Sequence, residues 1–193
     1  MGKRLLISFL FLLVITGVLF FYFRSGSSLK NMLGGKNINE GVIEYEISYP
    51  KLDPKSMVIA GMPDKAYLRF KNNTISNDMS GMMGLISIAY ISNPANKSVE
   101  QTLTLINKKY VSDISTNDLK KLNESYVESI EQGTQIKEIA GYKCKEAIVK
   151  LKDGETTHVY YTNDIDIENP NWSNPFSKID GVLMDFQMER MEL

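Results

Sequence analysis

From Gly41 onward, apolar and polar residues change places at every second position, and this period constrains the chain more than any other feature. "GVIEYEISYP" sets Ile43, Tyr45, Ile47 and Tyr49 on one side and Glu44, Glu46 and Ser48 on the other. Successive side chains of a strand point to opposite faces, so the pattern describes a sheet with one face buried. "KAYLRF" repeats it, with Ala66, Leu68 and Phe70 against Tyr67 and Arg69. "NNTISNDMS" follows a Lys-Asn-Asn turn and predicts a hairpin, while "LISIAYIS" is apolar on both faces and suits a central strand. Further strands are expected in "VEQTLTLINKKYVSDI", broken near Asn107-Lys108, and in "YVESI", "IAGYKCKEAIVKL", "ETTHVYYTNDI" and "GVLMDFQMERM". Turn residues separate them at Asn93-Pro94, Gly133, Asp153-Gly154, Asn169-Pro170 and Asp180-Gly181.

Two local signals are sharper. "KDGE", Lys152 to Glu155, suits a tight two-residue hairpin turn. Ser115 and Asp118 resemble a capping box, predicting one short helix over Thr116 to Asn123. Strands joined by short links give an antiparallel meander, and about eight or nine of them in one sheet would curl. The expected fold is therefore mainly β over residues 40–193, as a curved antiparallel sheet or open half-barrel.

The other constraint lies at the start. Lys3 and Arg4 precede "LLISFLFLLVITGVLFFYF", Leu5 to Phe23, which carries no charge. As a helix these residues would rise ~28 Å, close to the hydrocarbon thickness of a bilayer. A signal-peptide core is shorter, so residues 1–24 are read as an uncleaved signal anchor rather than a cleaved signal; Ser25-Gly26-Ser27 keeps cleavage open. Residues 25–39 read as a flexible tether. The expected location is the inner membrane, single-pass, with the C-terminal domain in the periplasm, or secreted if the segment is cleaved.

Charge is nearly balanced, with 22 basic and 23 acidic residues, which lacks the basic footprint of a nucleic-acid binder. The single cysteine, Cys144, rules out an internal disulfide. In a strand, Lys143 and Lys145 point away from its sulfur, whereas Tyr142 and Ile148 share its face; a buried structural thiol is favoured over a reactive one. His158 lies in "TTHVYY" without a G-x-S-x-G or H-E-x-x-H partner motif, and reads as an exposed or hydrogen-bonded strand histidine. Asp164, Asp166 and Glu168 line one side of "NDIDIEN", but an EF-hand register puts Asn169 and Pro175 where glycine and glutamate are required. A solvated edge is expected there. "DMSGMMG" gathers Met79, Met82 and Met83, suited to core filling, a lipid-facing surface or, least of all, thioether capture of copper. No metal or cofactor is expected.

"IAGYKCKEAIVK", "HVYYTNDI" and "NPFSKIDGVLMDF" occur in an order and spacing that resemble a family of Bacteroidetes-type cell-envelope proteins, the GLPGLI proteins and a related domain of unknown function. "IDGVLMDF" stands where the GLPGLI branch carries Leu-Pro-Gly, without the Leu-Pro; the opening "GVIEYEISYP" and the methionine-rich middle look like the related domain. The resemblance implies an exported β-domain similar in outline to the curled sheets of LolA-type lipoprotein carriers, and it brings no catalytic residue.

The functional expectation is non-enzymatic binding of a lipid, acyl chain or lipoprotein on a concave apolar β-surface, by Ile43, Tyr45, Ile47, Leu68, Phe70, Met79, Met82 and Met83. Many strands carry large apolar residues with no evident second layer to cover them. The alternative is a protein-interaction or envelope-sensor module with a filled core. An enzyme is not expected, because no nucleophile, base and orienting group can be assembled.

Overall fold

The computed structural model describes residues 38–53 and 55–188. The apolar segment Leu5–Phe23 and most of the expected tether lie outside them. Among the described residues no helix is long and apolar enough to cross a membrane. In chain order the elements are β1 (Glu40–Glu46), α1 (Met57–Gly61), β2 (Lys65–Lys71), β3 (Thr74–Gly81), a 3-10 turn (Met82–Gly84), β4 (Ile86–Asn93), β5 (Ser98–Leu105) and β6 (Lys108–Ile114). Then follow α2 (Thr116–Glu124), β7 (Val127–Ile139), β8 (Tyr142–Leu151), β9 (Thr156–Thr162) and β10 (Val182–Asp185).

The chain is mainly β, but its strands form two antiparallel sheets where one was expected. β1 to β6 pair in sequence order, and β10-β9-β8-β7 form the second sheet. Helix α2 is the reason for the break. Ser115 caps it, its Oγ accepting from the Asp118 N–H at 3.2 Å and donating to Asp118 Oδ2 at 2.6 Å. The meander therefore leaves β6 in a helix and restarts as β7 instead of adding a seventh strand. A second helix, α1, was not expected. It has five residues, too few for a 3.6-residue period to be visible in the sequence.

The hairpins also depart from expectation in detail. The two-residue turn with both central residues at positive φ is Asn72-Asn73, at 47° and 65°, with Ala140-Gly141 at 50° and 80° as another. Asp153-Gly154 does join two strands, but the loop runs from Lys152 to Glu155 and only Gly154 has positive φ, at 90°.

Two apolar clusters hold the domain. The first sets Ala147, Val149, Leu151 and Val159 of the second sheet under Phe176 and Ile179 of the long β9–β10 connection, with Leu183 of β10. The second joins the sheets: Leu68, Phe70 and Ile75 of β2 and β3 pack with Ile165, Ile167 and Val182. The connection, residues 163–181, thus acts as a covering layer without regular structure. Buried Asn171 braces it, its Nδ2 donating to the carbonyls of Ile179 and Gly181, both at 2.8 Å.

Phe176 is fully buried and meets Tyr126 and Phe186 edge-on, at centroid distances of 6.4 and 6.1 Å. Phe176→Ala is expected to destabilise the domain by ~3–5 kcal/mol, measured by urea unfolding with an unchanged denaturant slope.

Candidate apolar binding surface

Strand register sorts the first sheet into two unlike faces. Because directly paired residues share a face, the inner side can be read in rows across the strands. Phe70, Ile75, Ser92, Val99 and Ile114 form one row, at the end of the sheet where Asn72-Asn73 turns. Next come Leu68, Asn77, Tyr90, Gln101 and Ser112, then Ala66, Met79, Ile88, Leu103 and Tyr110. Ile86 and Leu105 begin the last row, at the opposite end. The outer side carries Glu44, Lys65, Arg69, Asp78, Glu100, Thr102 and Lys109, with ion pairs such as Arg69 to Asp78 and Lys65 to Glu44, and with exposed Val42, Ile91 and Val111 spaced among them.

Cover over the inner side fades along the strands. Phe70, Ile75, Ser92 and Val99 are buried. Tyr90, Ile88, Leu103, Met79 and Ile86 are only half-buried, and Leu105 and Tyr110 are exposed. The uncovered part is an open apolar surface on β3 to β6. Tyr90 is fixed within it, its hydroxyl accepting from Gln101 Nε2 at 3.1 Å across the β4–β5 pair. Two shallow, open hollows lie elsewhere: about 400 Å³ among Glu40, Val42, Arg69 and Lys71, and about 230 Å³ among Ile43, Phe70, Tyr142 and Met184.

The eight expected binding residues separate. Leu68 and Phe70 belong to the inter-sheet core, and Ile43 and Tyr45 pack against it. The Tyr45 hydroxyl donates to the Leu183 carbonyl at 2.8 Å, and burial pushes this phenol far above its ordinary pKa, so it remains a donor. Ile47, just past β1, is half-buried, and its N–H donates to the Asp64 carbonyl at 2.8 Å. Met79 lies on the open surface. Met82 and Met83 sit on the 3-10 turn, exposed to 46% and 101%. The period-two pattern that marked Ile43 and Leu68 also runs through Ile86, Ile88, Tyr90, Leu103 and Tyr110, which the sequence reading left out of the site.

The chemistry-bearing residues of the second sheet have structural work to do. β7 bulges opposite Glu146, with register shifting between Gln132 and Ile136. Into that bulge reaches the Glu146 carboxylate, whose Oε2 accepts from the N–H groups of Thr134 at 3.1 Å and Gln135 at 3.0 Å. A Cβ on Gly133 would fall 2.2 Å from the same oxygen, so only glycine admits the carboxylate. His158 Nδ1 lies 2.8 Å from Oε1. The Gln135 N–H first, and the His158 contact next, hold the Glu146 carboxyl below its ordinary value of 4.5. Sequence reading missed this glutamate because its partners are created by the bulge.

Cys144 is fully buried on β8, with Sγ 3.4 Å from the Tyr142 carbonyl, and burial pushes its thiol pKa up. It is part of the core. Along "NDIDIEN", Ile165 and Ile167 turn inward while the acidic residues remain exposed. Glu168 is tied to Asn73, whose Oδ1 accepts from the Glu168 N–H at 3.1 Å.

Under native conditions Cys144 should resist maleimide labelling, with stoichiometric reaction after unfolding in urea. Glu146→Gln should lower the melting temperature at pH 7. The folded carboxyl titrates below the unfolded one, so its contribution is present above pH ~4.5 and is lost as pH falls through the folded value. Melts at stepped pH should therefore show the gap between wild type and Glu146→Gln narrowing below pH 4.5.

Comparison with protein-family models, with curated proteins and with solved structures finds no match.

Proposed function

We propose that the domain binds the hydrocarbon portion of a lipid, acyl chain or lipoprotein on the open inner surface of β3 to β6, without catalysing a reaction. The supporting observation is the uneven cover of one apolar face. Over Phe70 and Ile75 the chain supplies its own second layer, yet among the described residues none covers Leu105 and Tyr110, and Ile88 and Leu103 are only half-buried. A continuous apolar surface whose reverse side is mostly charged or polar suits a carrier of a greasy ligand. Sheet twist would bend it into the concave wall of an open half-barrel, in line with the resemblance to envelope carriers. On this reading Leu5–Phe23 anchors the domain in the inner membrane, with residues 40–193 on the periplasmic side.

A protein-interaction or sensor role has one observation in its favour: β6 is an edge strand, and its residues from Lys108 to Asp113 are exposed. Lys108, Lys109 and Asp113 put charge along that edge, which disfavours strand addition. Ligand binding on the face is therefore preferred.

A photoactivatable fatty acid, crosslinked to the purified full chain and mapped by peptide mass spectrometry, tests the reading. Labels are expected on the peptides carrying Ile86–Tyr90 and Leu103–Tyr110, with Leu103→Lys losing most of them. Labelling confined to Leu5–Phe23, or scattered over the outer face, would reject it.

A further inference from the structure

We infer that one end of the first sheet is a docking tip that inserts apolar side chains into an anionic lipid bilayer. The tip does not depend on the inner-face reading, because its apolar residues lie beyond the strands, although its reach to a bilayer rests on the proposed anchoring by Leu5–Phe23. β1, β3 and β5 all run toward this end, so the β1–β2 connection with α1, the 3-10 turn and the β5–β6 turn converge there. Each presents large apolar side chains to solvent: Met57 at 92% exposure, Met83 at 101% and Ile106 at 73%, with Val58, Met82 and Leu85 beside them. Neither α1 nor the 3-10 turn buries a residue.

These side chains are held in place. Gly81 and Gly61 let two of the loops touch, since a Cβ on Gly81 would fall 2.5 Å from the Gly61 carbonyl oxygen. The Ile106 N–H donates to the Leu85 carbonyl at 2.6 Å, tying the β5–β6 turn to the β3–β4 turn. Ser56 Oγ accepts from the Ile59 N–H at 3.3 Å and caps α1. Met82, Met83 and Ile106 adopt φ of 50°, 55° and 58° without being glycine. For a β-branched residue such as Ile106 that backbone is strained, and it holds the side chain outward.

Charge and reach point to a bilayer as the occupant. At this end of the sheet Lys51, Lys55, Lys65, Lys108 and Lys109 stand against Glu46, Asp53 and Asp64, although the chain as a whole carries a net charge of -1. Lys51 is engaged by Glu155 at 3.5 Å and Lys65 by Glu44 at 2.5 Å, so the exposed Lys55, Lys108 and Lys109 form the basic rim. Apolar side chains surrounded by lysines suit the headgroup region of an anionic membrane. Sixteen residues separate Phe23 from Glu40. Extended, they span up to ~55 Å, whereas the strands of the first sheet run only ~25 Å, so a chain anchored by Leu5–Phe23 can bring the far end of its sheet to the same bilayer.

The test uses the full chain in nanodiscs of phosphatidylethanolamine and phosphatidylglycerol. Met83→Cys, Ile106→Cys and, at the opposite end of the sheet, Ala95→Cys each receive an environment-sensitive fluorophore; native Cys144 is buried and stays unlabelled. The labels at 83 and 106 are expected to shift to the blue and to be quenched by lipid-borne nitroxides, while the label at 95 stays as in water. Replacing Lys108 and Lys109 together by alanine should reduce the ratio of inserted to free tip by roughly tenfold or more, from about 1 kcal/mol per surface lysine. Water-like emission at 83 and 106, or equal quenching at 95, would overturn the inference. So would a blue shift without nitroxide quenching in discs holding two chains, which would assign the tip to a second copy.

Discussion

The contact of Leu68, Phe70 and Ile75 with Ile165, Ile167 and Val182 is the interaction on which the rest of the structure depends. A sheet with one apolar face is unstable in water until something covers that face. Here the cover is a loop and a four-residue strand from the far end of the chain. Tyr45 fastens the junction in two ways, by its hydroxyl on the Leu183 carbonyl and by its ring edge-on to Phe186, with centroids 5.7 Å apart. Phe186 in turn meets Phe176, so the inter-sheet cluster and the cluster beneath the second sheet are mechanically continuous. The absence of any disulfide leaves packing to do this work, since the lone cysteine is itself part of it.

That cover is short, and its shortness has consequences. Past the first row of the inner side, β4, β5 and β6 are stabilised mainly by their hydrogen-bonded ladders and by cross-strand pairs such as Ile88 with Leu103 and Leu103 with Tyr110. Such pairs bury less than a second layer would. The exposed apolar area there is a standing cost in water, because burying one large apolar side chain is worth ~1.5–3 kcal/mol. A chain that braces a loop with a buried asparagine to cover one half of a face, yet leaves the other half open among its described residues, differs from a chain that is merely poorly packed.

Much of the fold was legible because its signals are local. Alternation marked the strands, Asn72-Asn73 and Asp153-Gly154 marked hairpins, and Ser115 with Asp118 marked α2. Alternation also put Ile43, Tyr45, Leu68 and Phe70 correctly on one face. What it could not say is what lies opposite that face, since Ile165 and Ile167 are spaced among acidic residues in a segment that reads as a solvated edge. Four of the eight expected binding residues therefore turned out to be filled wall or to pack against it. The division into two sheets was hidden for a similar reason: the meander continues in sequence, and only pairing shows that β7 does not join β6. Glu146 looked like one more charged strand residue, because the amides that bind it converge only when β7 bulges.

The open inner face and the apolar tip meet. Ile86 and Leu105, the last row of the open face, stand at the strand ends from which Leu85 and Ile106 lead into the tip. A tip resting in the headgroup layer would bring the uncovered end of the inner face to the lipid surface and leave its closed end, near Phe70 and Ile75, farthest from it. An acyl chain could then move between bilayer and sheet without crossing bulk water, where each methylene exposed costs ~0.8 kcal/mol. The direction in which cover fades along the strands is the physical reason for linking the two: a face open at the opposite end would point its apolar rows away from the membrane.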